Sequence, residues 1–157
     1  MGREEAEMSR PLPQLALMDE VHRVLEAGCP DVLIQFPNQQ PPERDPRPIA
    51  RVSWDVRGYS QNLSLGHVQA KIEVAIAIFE FVGAGDKRFR VASSQIVEAA
   101  LGFWAAPPVI PGMVKLLPGL PLIHDANTGG RNGREHIYMG RIRWPMEIIF
   151  TYSGGQT

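Results

Sequence analysis

The closing segment of this chain, Arg134 to Tyr152, alternates in side-chain character over most of its length. One parity is mainly apolar or aromatic and holds His136, Tyr138, Ile142, Trp144, Met146, Ile148, Phe150 and Tyr152. A period of two residues is typical of a strand with one buried face. At about 3.3 Å per residue an unbroken run would extend roughly 60 Å, about three times a typical strand. We therefore expect part of this strand to lie beyond the core of a single domain and to need a partner.

Length and composition bound the remaining possibilities. The chain has 157 residues, which suits one domain, so we predict a polar leader over residues 1–11 and a single domain over residues 12–157. The net charge of −1 gives no overall attraction to nucleic acid or membrane. No signal-type segment and no run of about 18 apolar residues is present. The single cysteine, Cys29, cannot form an internal disulfide. These features predict a soluble protein of a reducing compartment.

Apolar spacing predicts two helices and several further strands. The helices cover Leu12–Ala27 and Lys87–Phe103, with Asp86 as N-cap of the second. The apolar stripe of the second helix comprises Phe89, Ser93, Ile96, Val97, Ala100, Leu101 and Trp104. Strands are predicted at Val32–Phe36, Ile49–Arg57 and His67–Val82, with one interrupted strand formed by Met113–Leu117 and Leu120–Ile123, and loops at Pro37–Pro48, Gly58–Gly66 and Asp125–Gly133. This order favours an α+β fold with both helices packed on one face of a mostly antiparallel β-sheet.

The strand from His67 to Val82 changes character in its second half. Apolar residues occupy the parity that is polar earlier in the strand, namely Ala75, Ala77, Phe79 and Phe81. Both faces should therefore be covered there, and the cover could be another subunit. Glu80 interrupts the inward series, which predicts a bulge, a strand end or a carboxylate at an edge. Trp54, Trp104 and Trp144 are predicted to be core residues.

Arginine greatly outnumbers lysine among the 16 basic residues. Its planar guanidinium suits contacts between subunits, and several arginines fall on the outward parity of their strands. The predicted interface residues are Arg51, Arg57, Phe79, Phe81, Arg141 and Arg143. A solvated sheet face is the alternative interpretation. A phosphate-binding stripe is disfavoured because Glu135 and Glu147 interleave with the cations.

One group of residues could carry chemistry. His124, Asp125, Glu135 and His136 flank a single loop, and a hairpin would bring them together as a metal or acid/base site. Their spacing matches no established ligand motif, and no nucleophile elbow, phosphate-binding loop or dinucleotide fingerprint is present. We expect no enzyme activity, catalytic residue, metal or cofactor. A small metal-dependent hydrolase is the alternative of a different class.

The main elements follow one another as Ile49–Arg57, His67–Phe81, the helix after Asp86 and the closing Trp144–Tyr152. This order resembles that of the small tail-completion proteins of tailed bacteriophages. The chain is similar to the tail terminator of lambda-type siphophages and to small tail proteins of Mu-like prophages. The resemblance covers Leu12–Tyr152 and rests on element order and strand texture.

This resemblance implies a role in virion assembly. The family forms an α+β sandwich and a homohexameric ring that caps the tail tube. The implied partners are further copies of the chain, the tail tube protein and the head-tail connector or stopper, with no membrane and with DNA only passing through the lumen. The implied location is the virion tail or neck after assembly in the bacterial cytoplasm. A head-side connector or stopper is the alternative, and phage-tail-like bacteriocins and gene transfer agents use the same parts.

Overall fold

The computed structural model describes residues 13–37, 39, 46–61, 66–81, 87–124 and 136–151, with backbone alone at 61, 81, 124 and 136–139. Two helices and six strands occur within these ranges. In chain order they are α1 (Pro13–Gly28), β1 (Leu33–Gln35), β2 (Ile49–Gln61), β3 (His67–Phe81), α2 (Lys87–Ala105), β4 (Met113–Pro118), β5 (Leu122–His124) and β6 (His136–Thr151). The predicted leader, the Asp86 cap, most of the Pro37–Pro48 loop and the Asp125–Gly133 loop lie outside the described residues.

The strands form one mixed sheet in the order β1-β2-β3-β6-β4, and β5 also pairs with β6. Only β1 and β2 run parallel, and the other described pairs are antiparallel. The two longest strands, β3 and β6, pair over their whole length, from His67 opposite Thr151 to Phe81 opposite His136. The predicted α+β fold and the long closing strand are confirmed.

Both helices pack on one face of this sheet. The inward residues of β3 and β6 are almost wholly buried and comprise Ala70, Ile72, Val74, Ile76, Ile78, Ile142, Trp144, Met146, Ile148 and Phe150. Leu17, Val21 and Leu25 of α1 join the same core. Each buried aliphatic side chain contributes about 1.5–3 kcal/mol of burial free energy. Gly28 allows the helices to meet closely, since a Cβ there would lie 3.1 Å from the Cβ of Ala99.

The buried stripe of α2 differs from the predicted one at its C-terminal end. Phe103 is 3% exposed, whereas Trp104 is 50% exposed and Leu101 is also on the surface. Phe103 follows Ala100 by three residues on the inward side of the helix, and its ring meets that of Trp144 edge-on at 5.2 Å. The prediction of Trp104 as core was wrong because the aromatic neighbour beside it takes the inward position. Trp144 is fully buried and Trp54 half-buried.

Strand β2 is longer than its alternation predicted. Gly58–Gln61, which we expected to be loop, continue the strand and pair with Val68–Lys71 of β3. A bulge between Val56 and Gly58 shifts the register there. The polar residues are tolerated because β3 satisfies their backbone groups.

A second bulge interrupts the alternation of β6. Ile78 pairs with Gly140 while Phe79 pairs with Tyr138, so Met139 has no partner of its own in the register. Tyr138 therefore lies in the row of the outward residue Phe79 rather than in that of the inward Ile142. The predicted single parity from His136 to Tyr152 is observed only from Gly140 to Phe150, after this bulge, and Tyr152 lies outside the described residues.

Candidate interaction surface

The sheet face opposite the helices, here called the outward face, collects the predicted arginines. The pairing register places Arg51, Ala77 and Arg141 side by side on β2, β3 and β6. The next row holds Ser53, Ala75 and Arg143, and the row after that Asp55, Glu73 and Pro145. Three strands that are distant in the sequence therefore bring these side chains together.

Two of the arginines hold a carboxylate at the centre of this face. Arg143 donates from Nε and Nη2 to the two carboxylate oxygens of Glu73 at 2.9 and 2.7 Å, and Arg57 donates from Nη2 at 2.8 Å. These hydrogen bonds, Arg143 first and Arg57 second, lower the pKa of Glu73 to about 2. The same contact raises the pKa of Arg143. We call these three residues the Glu73 clamp; it fixes two predicted interface arginines within the chain.

The other two arginines border an apolar floor. The guanidinium carbon of Arg51 lies 5.4 Å from the ring centre of Phe79, within the range of a cation–π contact. Arg141 lies across Ala77 from Arg51 and is exposed. Neither arginine forms an ion pair with a described residue. The structure thus places two exposed arginines beside a half-buried aromatic ring on the outward face.

Phe81, the last predicted interface residue, ends β3 opposite His136. Its side chain lies outside the described part of the chain. Along β3 the backbone position of Phe81 has the same parity as the outward residue Phe79. The assignment of Phe81 as an interface residue stays a prediction.

The alternative metal or acid/base site is not assembled by the backbone register. His124 pairs with Arg141, so His136 lies five residues away along β6, roughly 16 Å at 3.3 Å per residue. Asp125 and Glu135 lie outside the described residues. Among the residues that are described, no group of three or more His, Cys, Asp and Glu side chains could hold a metal ion.

Glu80 is buried on the inward side of β3, 0% exposed. Its carboxylate lies 3.7 Å from the guanidinium of Arg88 at the start of α2, and Arg88 also donates to the Pro46 carbonyl. An open cleft of about 440 Å³ lies beside this contact and is lined by Asp31, Arg47, Pro48, Lys87, Arg88, Val91 and Ala92. Of the three alternatives predicted for Glu80, the bulge and the strand end both occur beside it, since the register with β6 shifts between Ile78 and Phe79 and β3 ends at Phe81. The carboxylate is not at a sheet edge, because β3 lies between β2 and β6, and it ties the end of β3 to α2.

A second candidate surface lies at the β4–β5 border of the sheet. Its members share high exposure of large apolar side chains, between 40% and 58%: Val114, Leu117, Leu120, Leu122 and Ile123. We call this set the apolar edge. The sequence predicted one interrupted strand here, whereas the structure has two separate strands, β4 and β5, and their position at a border was not predicted. The signal was the Pro118-Gly119 break, because such interruptions are typical of edge strands.

The apolar edge is anchored at its middle. Trp144 donates from Nε1 to the carbonyl oxygen of Gly119 at 3.0 Å, and the Gly119 N–H donates to the Pro145 carbonyl at 2.8 Å. A side chain at Gly119 would meet that carbonyl, since an ideal Cβ would lie 2.7 Å from it. These contacts therefore fix the position of the turn between β4 and β5 against β6.

Comparison with known proteins does not assign a function to either surface. No protein-family model matches the sequence, and no curated protein matches it significantly. No described helix is both long enough and apolar enough to cross a membrane.

Proposed function

We propose that this chain is a non-enzymatic structural subunit of the tail-terminator type. Copies form a ring, six in the family it resembles, that caps a phage-type tail tube and presents a surface to the head connector. The observation that supports this most is the outward face, where Arg51 and Arg141 flank an apolar floor of Ala77 and Phe79. Arginine and aromatic residues over small apolar ones are the composition of a protein interface.

The outward face is unusual for a surface that meets only water. The solvent-facing side of an antiparallel sheet commonly carries polar side chains. Here the central strand β3 presents Ala75, Ala77 and Phe79, all half-buried, with no described helix above them. A protein partner would remove this apolar surface from water, which favours association.

The Glu73 clamp prepares this face for binding. Because Arg57 and Arg143 are already held by Glu73, they lose little side-chain entropy when a partner approaches. Arg51 and Arg141 keep their charge available for carboxylates of a tube or connector protein. Such contacts accelerate encounter and weaken as salt is raised.

Light scattering after size-exclusion chromatography tests the proposal. We expect a mass several times that of the single chain, either alone or on mixing with tail tube protein. A double substitution, Arg51→Glu with Arg141→Glu, should abolish binding to the tube or connector protein while preserving the circular dichroism spectrum. Each single variant, Arg51→Glu or Arg141→Glu, should already weaken binding, and Lys87→Glu, which reverses one exposed charge at the helix side, is the matched control for the single variants and should bind as the wild type does.

A strict monomer, both alone and with tail tube protein, would rule the proposal out. Pull-down against the tube protein and against the connector separately decides which ring the chain joins. Binding to the connector alone would move the chain to the head side of the neck.

A further inference from the structure

The outward face has its smallest side chains at the centre of β3. Ala75 and Ala77 are consecutive outward residues of this strand, and both are half-buried. Alanine is depleted in strands, where β-branched and aromatic side chains pack better on the pleated surface. The strands on either side carry longer side chains beside Ala77, so a space bordered by β2 and β6 lies above its methyl group.

Two arginines border this space. Arg51 of β2 and Arg141 of β6 both pair with Ala77 in the register. Neighbouring strands are about 4.8 Å apart, so the two backbones are separated by roughly 10 Å. Neither guanidinium donates a hydrogen bond to any residue that the structure describes. Two long cationic side chains therefore flank one methyl group with their donors uncommitted.

The side chain of Arg51 extends over β3. Its guanidinium carbon lies 5.4 Å from the ring centre of Phe79, the next outward residue of β3 after Ala77. Phe79 pairs with Ile49 rather than with Arg51, so the arginine crosses diagonally onto the neighbouring strand. A cation–π contact engages the face of the ring and leaves the N–H groups of the guanidinium to bind a carboxylate. A positive charge is thereby held beside Ala77.

Ala75 has different neighbours. It lies between Ser53 of β2 and Arg143 of β6. Arg143 donates to both carboxylate oxygens of Glu73, so its charge is already matched within the chain. A further carboxylate above Ala75 would meet one cation only, and that cation already holds Glu73. The two alanines thus share a strand and a face but differ in the charge available beside them.

We infer that Ala77 receives an acidic side chain of the partner protein, whose carboxylate binds between Arg51 and Arg141. This inference rests on the proposed function and names the chemistry that the outward face recognises. Arginine binds carboxylates through strong charge-assisted hydrogen bonds, and the apolar surface around Ala77 strengthens them by excluding water. Ala77 then determines specificity, because a larger side chain at this position would fill the space that the carboxylate needs.

The charges along the strands favour a protein over a nucleic acid as the ligand. A phosphate backbone repeats its negative charge at short intervals, so its affinity depends on a continuing series of cations. Beyond the row of Arg51 and Arg141, the acidic residues Asp55, Glu73 and Glu147 accompany the remaining cations of the three strands. A folded protein can place one acidic side chain among apolar ones, which matches a pair of arginines around an apolar centre.

Ala77→Val tests this role without changing the charge of the outward face. We expect it to raise the dissociation constant for tail tube or connector protein at least about tenfold, because the branched side chain occupies the position of the carboxylate. Ala75→Val should raise it by less than about threefold, since Ala75 contributes apolar contact alone. Ser94→Val adds a valine on the exposed side of α2 and should bind as the wild type does. All three variants should melt within a few degrees of the wild type.

Two probes of equal length identify the class of ligand without the tail proteins. One is an oligoglutamate peptide and the other a single-stranded oligonucleotide, each labelled with a fluorophore and titrated at low salt. We expect the peptide to bind more tightly than the oligonucleotide. Ala77→Val and Arg141→Gln should each weaken peptide binding, and Ser94→Val should leave it unchanged.

The outcomes separate this inference from the ring itself. Tighter binding of the oligonucleotide, equal losses for Ala77→Val and Ala75→Val, or wild-type affinity of Ala77→Val would each overturn the carboxylate site and leave the ring standing. A wild-type chain that is monomeric alone and with tail tube protein, yet binds oligoglutamate in a way that depends on Ala77, would overturn the proposed function and leave the carboxylate site.

Discussion

The indole nitrogen of Trp144 donates to the carbonyl oxygen of Gly119, and the amide of Gly119 donates to the next residue along β6, Pro145. Proline has no N–H to offer a neighbouring strand and is rare inside a sheet. The border strand breaks at this level, since Pro118 pairs with Met146 and pairing resumes only at Leu122 opposite Arg143. The interruption of β4 and β5 thus lies beside the residue in β6 that cannot donate.

Gly119→Ala should destabilise the fold by about 2 kcal/mol, because its Cβ would lie 2.7 Å from the Pro145 carbonyl and force the turn away. Gly102→Ala is the control. It lies within α2 with no atom within 4 Å of the added Cβ, so it should stabilise by about 0.5–1 kcal/mol. Urea unfolding measures both. Equal free energies for the two variants would contradict the proposed steric conflict.

Trp144→Phe should cost about 2 kcal/mol. The substitution removes the donor to Gly119 and leaves a void beside Phe103, which the indole contacts edge-on. Calorimetry should show a lower melting temperature. If Trp144→Phe is combined with Gly119→Ala, the cost should be less than the sum of the two, since both loosen the same turn. Strict additivity would show that the two residues act independently.

Phe103→Ala should destabilise by about 3–5 kcal/mol, because Phe103 is 3% exposed and packs on Trp144. Trp104→Ala removes a larger side chain from the adjacent position and should change the free energy of unfolding by less than about 1 kcal/mol, since Trp104 is 50% exposed. Denaturant titration decides between them. A larger loss of stability for Trp104→Ala than for Phe103→Ala would support the predicted stripe, in which Trp104 is a core residue.

The Glu73 clamp should make stability depend on acid. The folded-state pKa of Glu73 lies near 2, below its ordinary value of 4.5, so the folded state favours the carboxylate. Its contribution is therefore complete above about pH 4.5 and is lost as the pH falls toward 2. Glu73→Gln should cost about 1 kcal/mol at pH 7, and this difference should shrink toward pH 2.5.

Asp55→Asn is the control for the clamp. Asp55 is 73% exposed at its side chain and lies 4.0 Å from Arg57, so its loss should leave the free energy of unfolding nearly unchanged. Chemical unfolding across pH 2.5–7 compares the variants. A Glu73→Gln penalty that does not change with pH would show that the carboxylate charge is not responsible.

The strands could be predicted where the alternation of apolar and polar residues in the sequence follows the burial of their side chains. Alternation in β3 and β6 follows directly from one buried and one outward face, and element order then favoured the α+β arrangement. The end of α2 was not predictable, because Phe103 and Trp104 are adjacent aromatics and only packing against Trp144 selects the first.

The interaction surfaces divide in the same way. Outward arginines could be identified from parity, but the Glu73 clamp joins three strands and depends on their register. The apolar edge depends on strand order in the sheet, which is set by contacts between residues distant in the chain. Local sequence does not give the register, and it indicates the border only through the Pro118-Gly119 break.

The clamp also distributes charge unevenly along the strands. Near the clamp the charges of the outward face nearly cancel. Glu73 neutralises one of its two arginines, Asp55 lies beside the other, and Lys71 lies opposite Glu147. The row of Arg51 and Arg141 has no such counterions among the described residues. The face consequently has a positive pole at one end, and an acidic protein approaching it would be turned into alignment before the first contact forms.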